Sequence, residues 1–359
     1  MSGDVLDQAA GDPAELAPAT RRDSDIWVKS YWYVRTAMVV LLVGLGVAVL
    51  YQIVRQGWHL LGSVSAYYYT PAQAIFVGAL IGLGACMIAL KGTNDVEDVF
   101  LNLGGMFAAV VAIVPTARGE DYRTAVRACK QAAGPLLTRK ASTGLDCPTV
   151  QTLADATRAN VENNMVALLV MGALGLLATV FFALRYRSSN RSVGRSGVAS
   201  MDPDSPRNGL RPTFWWGFGA ALVVWAVGAV VFWAYTQWFV DHAHYLAAAG
   251  LFACILVVAV ANAFRRQGKQ QPSGASALDR SMKAVGAATD ALIRPGRRDP
   301  YAWLSWLMVG AAVVGTVLVL SHRISLFWLE IVVAFLFVVF WTVQTVERLP
   351  RQAADTADL

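Results

Sequence analysis

The chain has 359 residues, of which 56% are hydrophobic and only 15% charged, with a formal net charge of +6. A soluble domain carries about a quarter charged residues, so this composition excludes one and points to a fold embedded in lipid. The excess of positive charge is read as contact with an anionic inner leaflet, and nucleic-acid binding is the least favoured function.

Residues 1–25, rich in Ala, Asp and Pro, read as a disordered cytoplasmic tail. Asp4, Asp7, Asp12 and Glu15 precede the first apolar run and no small-residue cleavage site follows a short apolar core, so the first span is expected to be an uncleaved anchor. Apolar runs then recur over 31–53, 72–90, 99–115, 165–184, 214–237, 246–264, 303–320 and 326–345. A hydrocarbon core of ~30 Å takes about 20 helical residues, and continuous runs favour helices over the alternating strands of a barrel. The expected fold is therefore all-α, a polytopic bundle of about eight transmembrane helices filling residues 26–349, with a short tail at 350–359.

Lys and Arg accumulate in cytoplasmic loops. Placing both termini in the cytoplasm puts the two most basic loops, 185–213 and 265–302, on that side, with Arg21, Arg22, Lys29 and Arg35 at the start of the chain and Arg348 and Arg351 after the last span. The 116–163 loop is then outside. Cys129 and Cys147 share it, and a disulfide between them is expected in an oxidising compartment, the alternative being two free thiols. Cys86 and Cys254 fall within spans.

Smaller signals follow. The run RSSNRSVGRSGVASMDPDSPRNG has linker chemistry. Leu278, Met282, Val285, Thr289 and Leu292 recur at helical spacing, as on a short amphipathic helix lying on the membrane or packed on the bundle. Gly78, Gly82 and Gly84 in the second span, and Gly104 and Gly105 in the third, suit close helix approach. Trp32, Tyr51, Trp215, Trp216, Trp238, Tyr301 and Trp328 read as interfacial anchors.

Residues with chemistry gather on the outer side. All four histidines, His59, His242, His244 and His322, fall in or beside outer loops. They are candidate metal ligands, with zinc the cofactor such a site would take, or hydrogen-bonded interfacial side chains. Positions two apart on a helix diverge by about 200°, so His242 and His244 share one metal only from an extended turn, which a loop at 239–245 would supply. Glu330, in SLFWLEIVVAF, is the acidic residue read as lying within a span, where it must be partnered or protonated. His244, His322 and Arg323 are its candidate partners, and it is either a catalytic group or a structural bond. The segment SVSAYYYTPAQAIFVG lines up Ser63, Ser65, Tyr67, Tyr68, Tyr69 and Thr70 before Pro71. Ser63 and Ser65 are candidate catalytic residues and Tyr67, Tyr68 and Thr70 candidate ligand-binding ones; the plain alternative is an aromatic anchor with a helix cap.

SVSAYYYTPAQAIFVGALIGLGACMIALKG, EDVFLNLGGMFAAVVAIVPT, HYLAAAGLFACILVVAV and FWLEIVVAFLFVVFWTVQ together resemble a family of bacterial multi-spanning membrane proteins of unknown function. That resemblance implies a bacterial plasma membrane and membrane lipids as surroundings. More distantly, the serine-containing second span and the histidine opening a later helix are similar to the CREST superfamily of alkaline ceramidases and adiponectin receptors. That likeness implies a zinc held by three histidines and hydrolysis of lipid amides, with Ser63 or Ser65 and His244 as site residues. The chain departs from it in having HAH in place of HxxxH and eight spans in place of seven. The favoured reading is a non-enzymatic lipid- or ligand-binding, sensor or scaffold protein; the alternative is an outward-facing metal-dependent lipid amidase or esterase, and a transporter comes third.

Overall fold

The computed structural model describes residues 13–92, 95–116, 119–137, 147–195, 212–267 and 300–357. They form nine α-helices and a short 3-10 helix, and among the described residues there is no strand. In chain order these are α1 (Pro13–Arg55), the 3-10 helix (Val64–Tyr69), α2 (Gln73–Ala89), α3 (Asp95–Ile113), α4 (Gly119–Leu137), α5 (Val150–Arg195), α6 (Pro212–Ala234), α7 (Thr236–Gln267), α8 (Pro300–Leu320) and α9 (Leu326–Ala357). Seven are long and apolar enough to cross a membrane, within α1, α3, α5, α6, α7, α8 and α9, and α2 is a shorter apolar helix of 17 residues. At about 1.5 Å per residue α2 still reaches ~25 Å.

Each expected span has its helix, but several helices outrun their apolar cores. Residues 13–25, expected as disordered tail, are the start of α1: Pro13 suits a first helical position, and the Ala, Glu and Leu that follow are good helix formers. Likewise α5 runs to Arg195, well into the expected linker, and α9 runs to Ala357. The expected amphipathic helix at 278–292 lies outside the described residues.

The core helices run antiparallel to their partners, as where His244 near the start of α7 meets Val114 at the exit of α3 and Asn262 near its finish meets Glu97 at the start of α3, so the bundle has two ends. One, the hairpin end, carries the 3-10 helix, the α8–α9 turn and α4; the opposite, tail end has the start of α1 and the finish of α9. Six helices close a ring, in which α1 packs on α2, α2 on α3, α3 on α7, α7 on α8, α8 on α9 and α9 back on α1. Helices α5 and α6 lie outside it, against α3. Burial follows this plan: half of the apolar window of α3 is buried (50%), against 6% for α6, whose surface is left to lipid.

The tightest seam joins α2 and α3. A Cβ built on Gly84 would meet the Gly105 carbonyl oxygen at 2.7 Å, and Met87 fills the space beside Gly104, so Gly84, Gly104 and Gly105 serve the close approach expected of them, whereas Gly82 meets the Leu41 side chain of α1 and Gly78 has nothing within 4 Å. At the hairpin end, α4 and the first turns of α5 form a helical pair outside the ring. Cys129 and Cys147 are bridged with their Cα atoms 5.8 Å apart, as expected. Closing a loop with a sequence separation of 18 lowers the entropy of the unfolded chain by an amount worth about 3 kcal/mol.

Candidate functional site

The hairpin end is built on two helix stops and the 3-10 helix between α1 and α2. Helix α1 stops at Gly57, at φ 68°, with the Trp58 N–H donating to Ile53 O (2.9 Å) and the Gly57 N–H to Val54 O (3.1 Å). Helix α8 stops in the same six-to-one pattern at His322, φ 56°, with the Arg323 N–H on Leu318 O (2.9 Å). Histidine is one of the few side-chain-bearing residues enriched in this left-handed conformation, so His322 is accounted for as a helix stop.

Between these stops, the 3-10 helix is fixed from both sides. Ser63 caps it in extended conformation, its Oγ accepting from the Ala66 N–H at 3.2 Å. Glu330, one turn into α9, reaches across: its carboxylate accepts from the Val64 N–H (2.5 Å) and the Ser65 hydroxyl (3.0 Å), while the Phe327 N–H donates to Gly62 O (2.9 Å). Two backbone donors and one hydroxyl that α9 and the 3-10 helix could not satisfy alone are thereby paired. Glu330 is thus partnered, as its depth requires, by the 3-10 helix.

The tyrosines and Thr70 turn to structural use. Tyr67 is fully buried against Phe327 (ring centroids 6.2 Å), and Tyr68 packs edge-on to Phe76. Thr70 donates its hydroxyl to Tyr67 O (2.7 Å) and accepts from the Ala72 N–H, which is the cap and anchor reading of this segment. Tyr69 donates to Thr116 O (2.8 Å), just beyond the end of α3, and Tyr122 of α4 donates to Thr157 of α5 (2.8 Å).

The histidines share this end but do not converge. His244 is buried, and its Nδ1–H donates to Val114 O (2.5 Å), capping the last carbonyls of α3. His242 is stacked on Trp238 at 4.8 Å, its Nδ1–H on Trp238 O, and its side chain is exposed. The extended turn at 239–245 is absent, because α6 and α7 are separated at Tyr235 alone and both histidines lie within α7. Helical geometry therefore sends one inward and the other outward. His59 and His322 are exposed on separate loops. Among the described residues no group of three or more His, Cys, Asp or Glu could hold a metal ion, so the zinc implied by the CREST likeness does not fit here.

A second polar cluster, at the tail end, has no counterpart among the residues that the sequence pattern marks out. Glu97, which reads as part of the flank before the third span, is wholly buried, and Asn262 donates to its Oε1 at 3.0 Å and to Val258 O at 2.9 Å. Helical spacing carries the signal: Glu97, Leu101, Gly104, Ala108 and Val111 fall on the single buried face of α3. Arg35 of α1 is equally buried, donating to the Tyr31 hydroxyl and lying over the rings of Tyr31 (4.4 Å) and Trp341 (4.7 Å). Comparisons with models of protein families, with curated proteins and with solved structures give no match for this multi-pass helical chain.

Proposed function

We propose that this chain is a non-enzymatic multi-pass protein of a bacterial plasma membrane, with its tail end in the cytoplasm. In this reading it binds a lipid or small ligand, senses, or scaffolds through the hairpin end, where the disulfide-closed α4–α5 pair projects. The observation that carries it is how the polar groups at that end are used. Glu330 pairs the Val64 N–H and Ser65, His244 caps α3, Thr70 caps the end of the 3-10 helix, and Tyr69 ties the exit of α3. These side chains each hold a helix end or the 3-10 helix in place, which is structural work.

One contact favours the lipid amidase or esterase, namely Ser65 beside Glu330 at 3.0 Å, a hydroxyl next to a carboxylate. That chemistry asks for a metal-activated water, and the dispersed histidines lend it no ligand set.

Two measurements test the proposal. Purified from the membrane without chelator, the wild-type protein is expected to contain no stoichiometric metal, and His244→Ala to match it. About one zinc per wild-type chain, lost in His244→Ala, would replace the binding reading by the hydrolase. A green fluorescent protein fused after Leu359 is expected to fluoresce and a periplasmic phosphatase fused there to stay inactive; the reverse result inverts the orientation.

A further inference from the structure

The charged side chains that the bundle buries, among the described residues, are Arg35 at 1% exposure and Glu97 at 0%. Packing contacts place them at nearly one level. Gly82 of α2 lies against Leu41 of α1, a register that sets Arg35 opposite the last turn of α2. Gly84 lies against Gly105, and Gly92 against Glu97, so Glu97 is about one turn, ~5 Å, beyond that level. The remaining helices bring polar groups to the same layer. Asn262 of α7 is on Glu97, and Trp341 of α9 is under Arg35. Gly315 against Leu329 fixes the α8–α9 register, which levels Ser305 with Trp341.

Each of these groups is buried among the ring helices. Ser305 and Trp341 are 2% and 1% exposed, and neither Ser305 Oγ nor Trp341 Nε1 has a hydrogen-bond partner among the described residues. An apolar seam would close this end at less desolvation cost than a layer of polar and charged groups, so the polar layer calls for a use beyond holding the helices together.

We infer that Arg35 and Glu97 form an intramembrane ion pair that latches the tail end of the ring shut, joining the α1–α9 side to the α3–α7 side. Asn262 orients the carboxylate, and Tyr31 and Trp341 hold the guanidinium between them. A latch of this kind has two states because each charge is tolerable in the layer only beside the other. Separating them draws both toward the aqueous boundary and admits water to Ser305.

The test reads that access. In a chain carrying Cys86→Ala and Cys254→Ala, with the Cys129–Cys147 bridge intact, Ser305→Cys is labelled with a membrane-impermeant maleimide from the tail side. The latched protein is expected to label slowly. Arg35→Met or Glu97→Gln alone is expected to raise the rate about tenfold or more, and the double variant, which buries no unpaired charge, to return within about twofold of the parent. Single variants that do not fold while the double does would support the pair equally. Three cases overturn it: singles that label like the parent, a double that labels as the product of its singles, and a double that does not fold.

Discussion

Gly105→Ala is expected to cost about 2–3 kcal/mol of stability, because one methyl group at this position has nowhere to go. Its Cβ would stand 2.5 Å from the Gly84 carbonyl oxygen and 2.7 Å from Ile88 Cγ1. Side chains yield by changing rotamer, but a helix carbonyl is held by its own hydrogen bond, so α2 and α3 must move apart. Helix α3 is the hub on which α2, α7 and the outlying α5 and α6 all pack, and the displacement is felt around the ring. Gly78→Ala is the matched control: it lies on α2 with nothing within 4 Å of its added Cβ and should be neutral or slightly stabilising. Thermal unfolding of both in one detergent decides between these outcomes, and equal midpoints would show that the seam is looser than described.

Glu330→Ala should be the most damaging change at the hairpin end, at about 2–4 kcal/mol, since hydrogen bonds to a charged acceptor are worth more than neutral ones and both donors are left without it. Glu330→Gln keeps an amide oxygen for the Val64 N–H and should lose roughly half as much. Ser65→Ala removes one donor, and its effect should largely vanish in the Glu330→Ala background, because the two side chains share the interaction. Unfolding midpoints of the four proteins test this order. A Glu330→Ala protein as stable as wild type would remove the structural role and make the carboxylate a candidate for chemistry again.

Much of this architecture is legible in the amino-acid pattern, and its gaps have physical causes. Apolar runs report contact with lipid, so they locate the apolar helices among the described residues. They are silent on helix that continues into water, which is why the beginning of α1 and both extensions of α5 look like tail, loop and linker. The disulfide is visible because only two cysteines fall outside the spans. For the histidines, sequence order gives the correct end of the molecule, but the direction in which each points depends on where α7 begins. Placing that start at Thr236 puts His242 and His244 on opposite faces. Glu97 is hidden by its neighbours, for Asp95 and Asp98 make the start of α3 look like a solvated flank, and only the spacing to Leu101 and Gly104 shows it turned inward.

Helix α5 has one more consequence. It is a single helix of 46 residues, about 69 Å from the disulfide hairpin to Arg195, and it rests on the outside of the ring. A rod that long crosses the bilayer with turns to spare on both sides, and it has no break along the way. Its buried residues Val161, Met165, Leu169 and Ala183 are spread along the shaft, so the helix is seated over a length and ties the disulfide hairpin to the opposite end of the bundle without a joint.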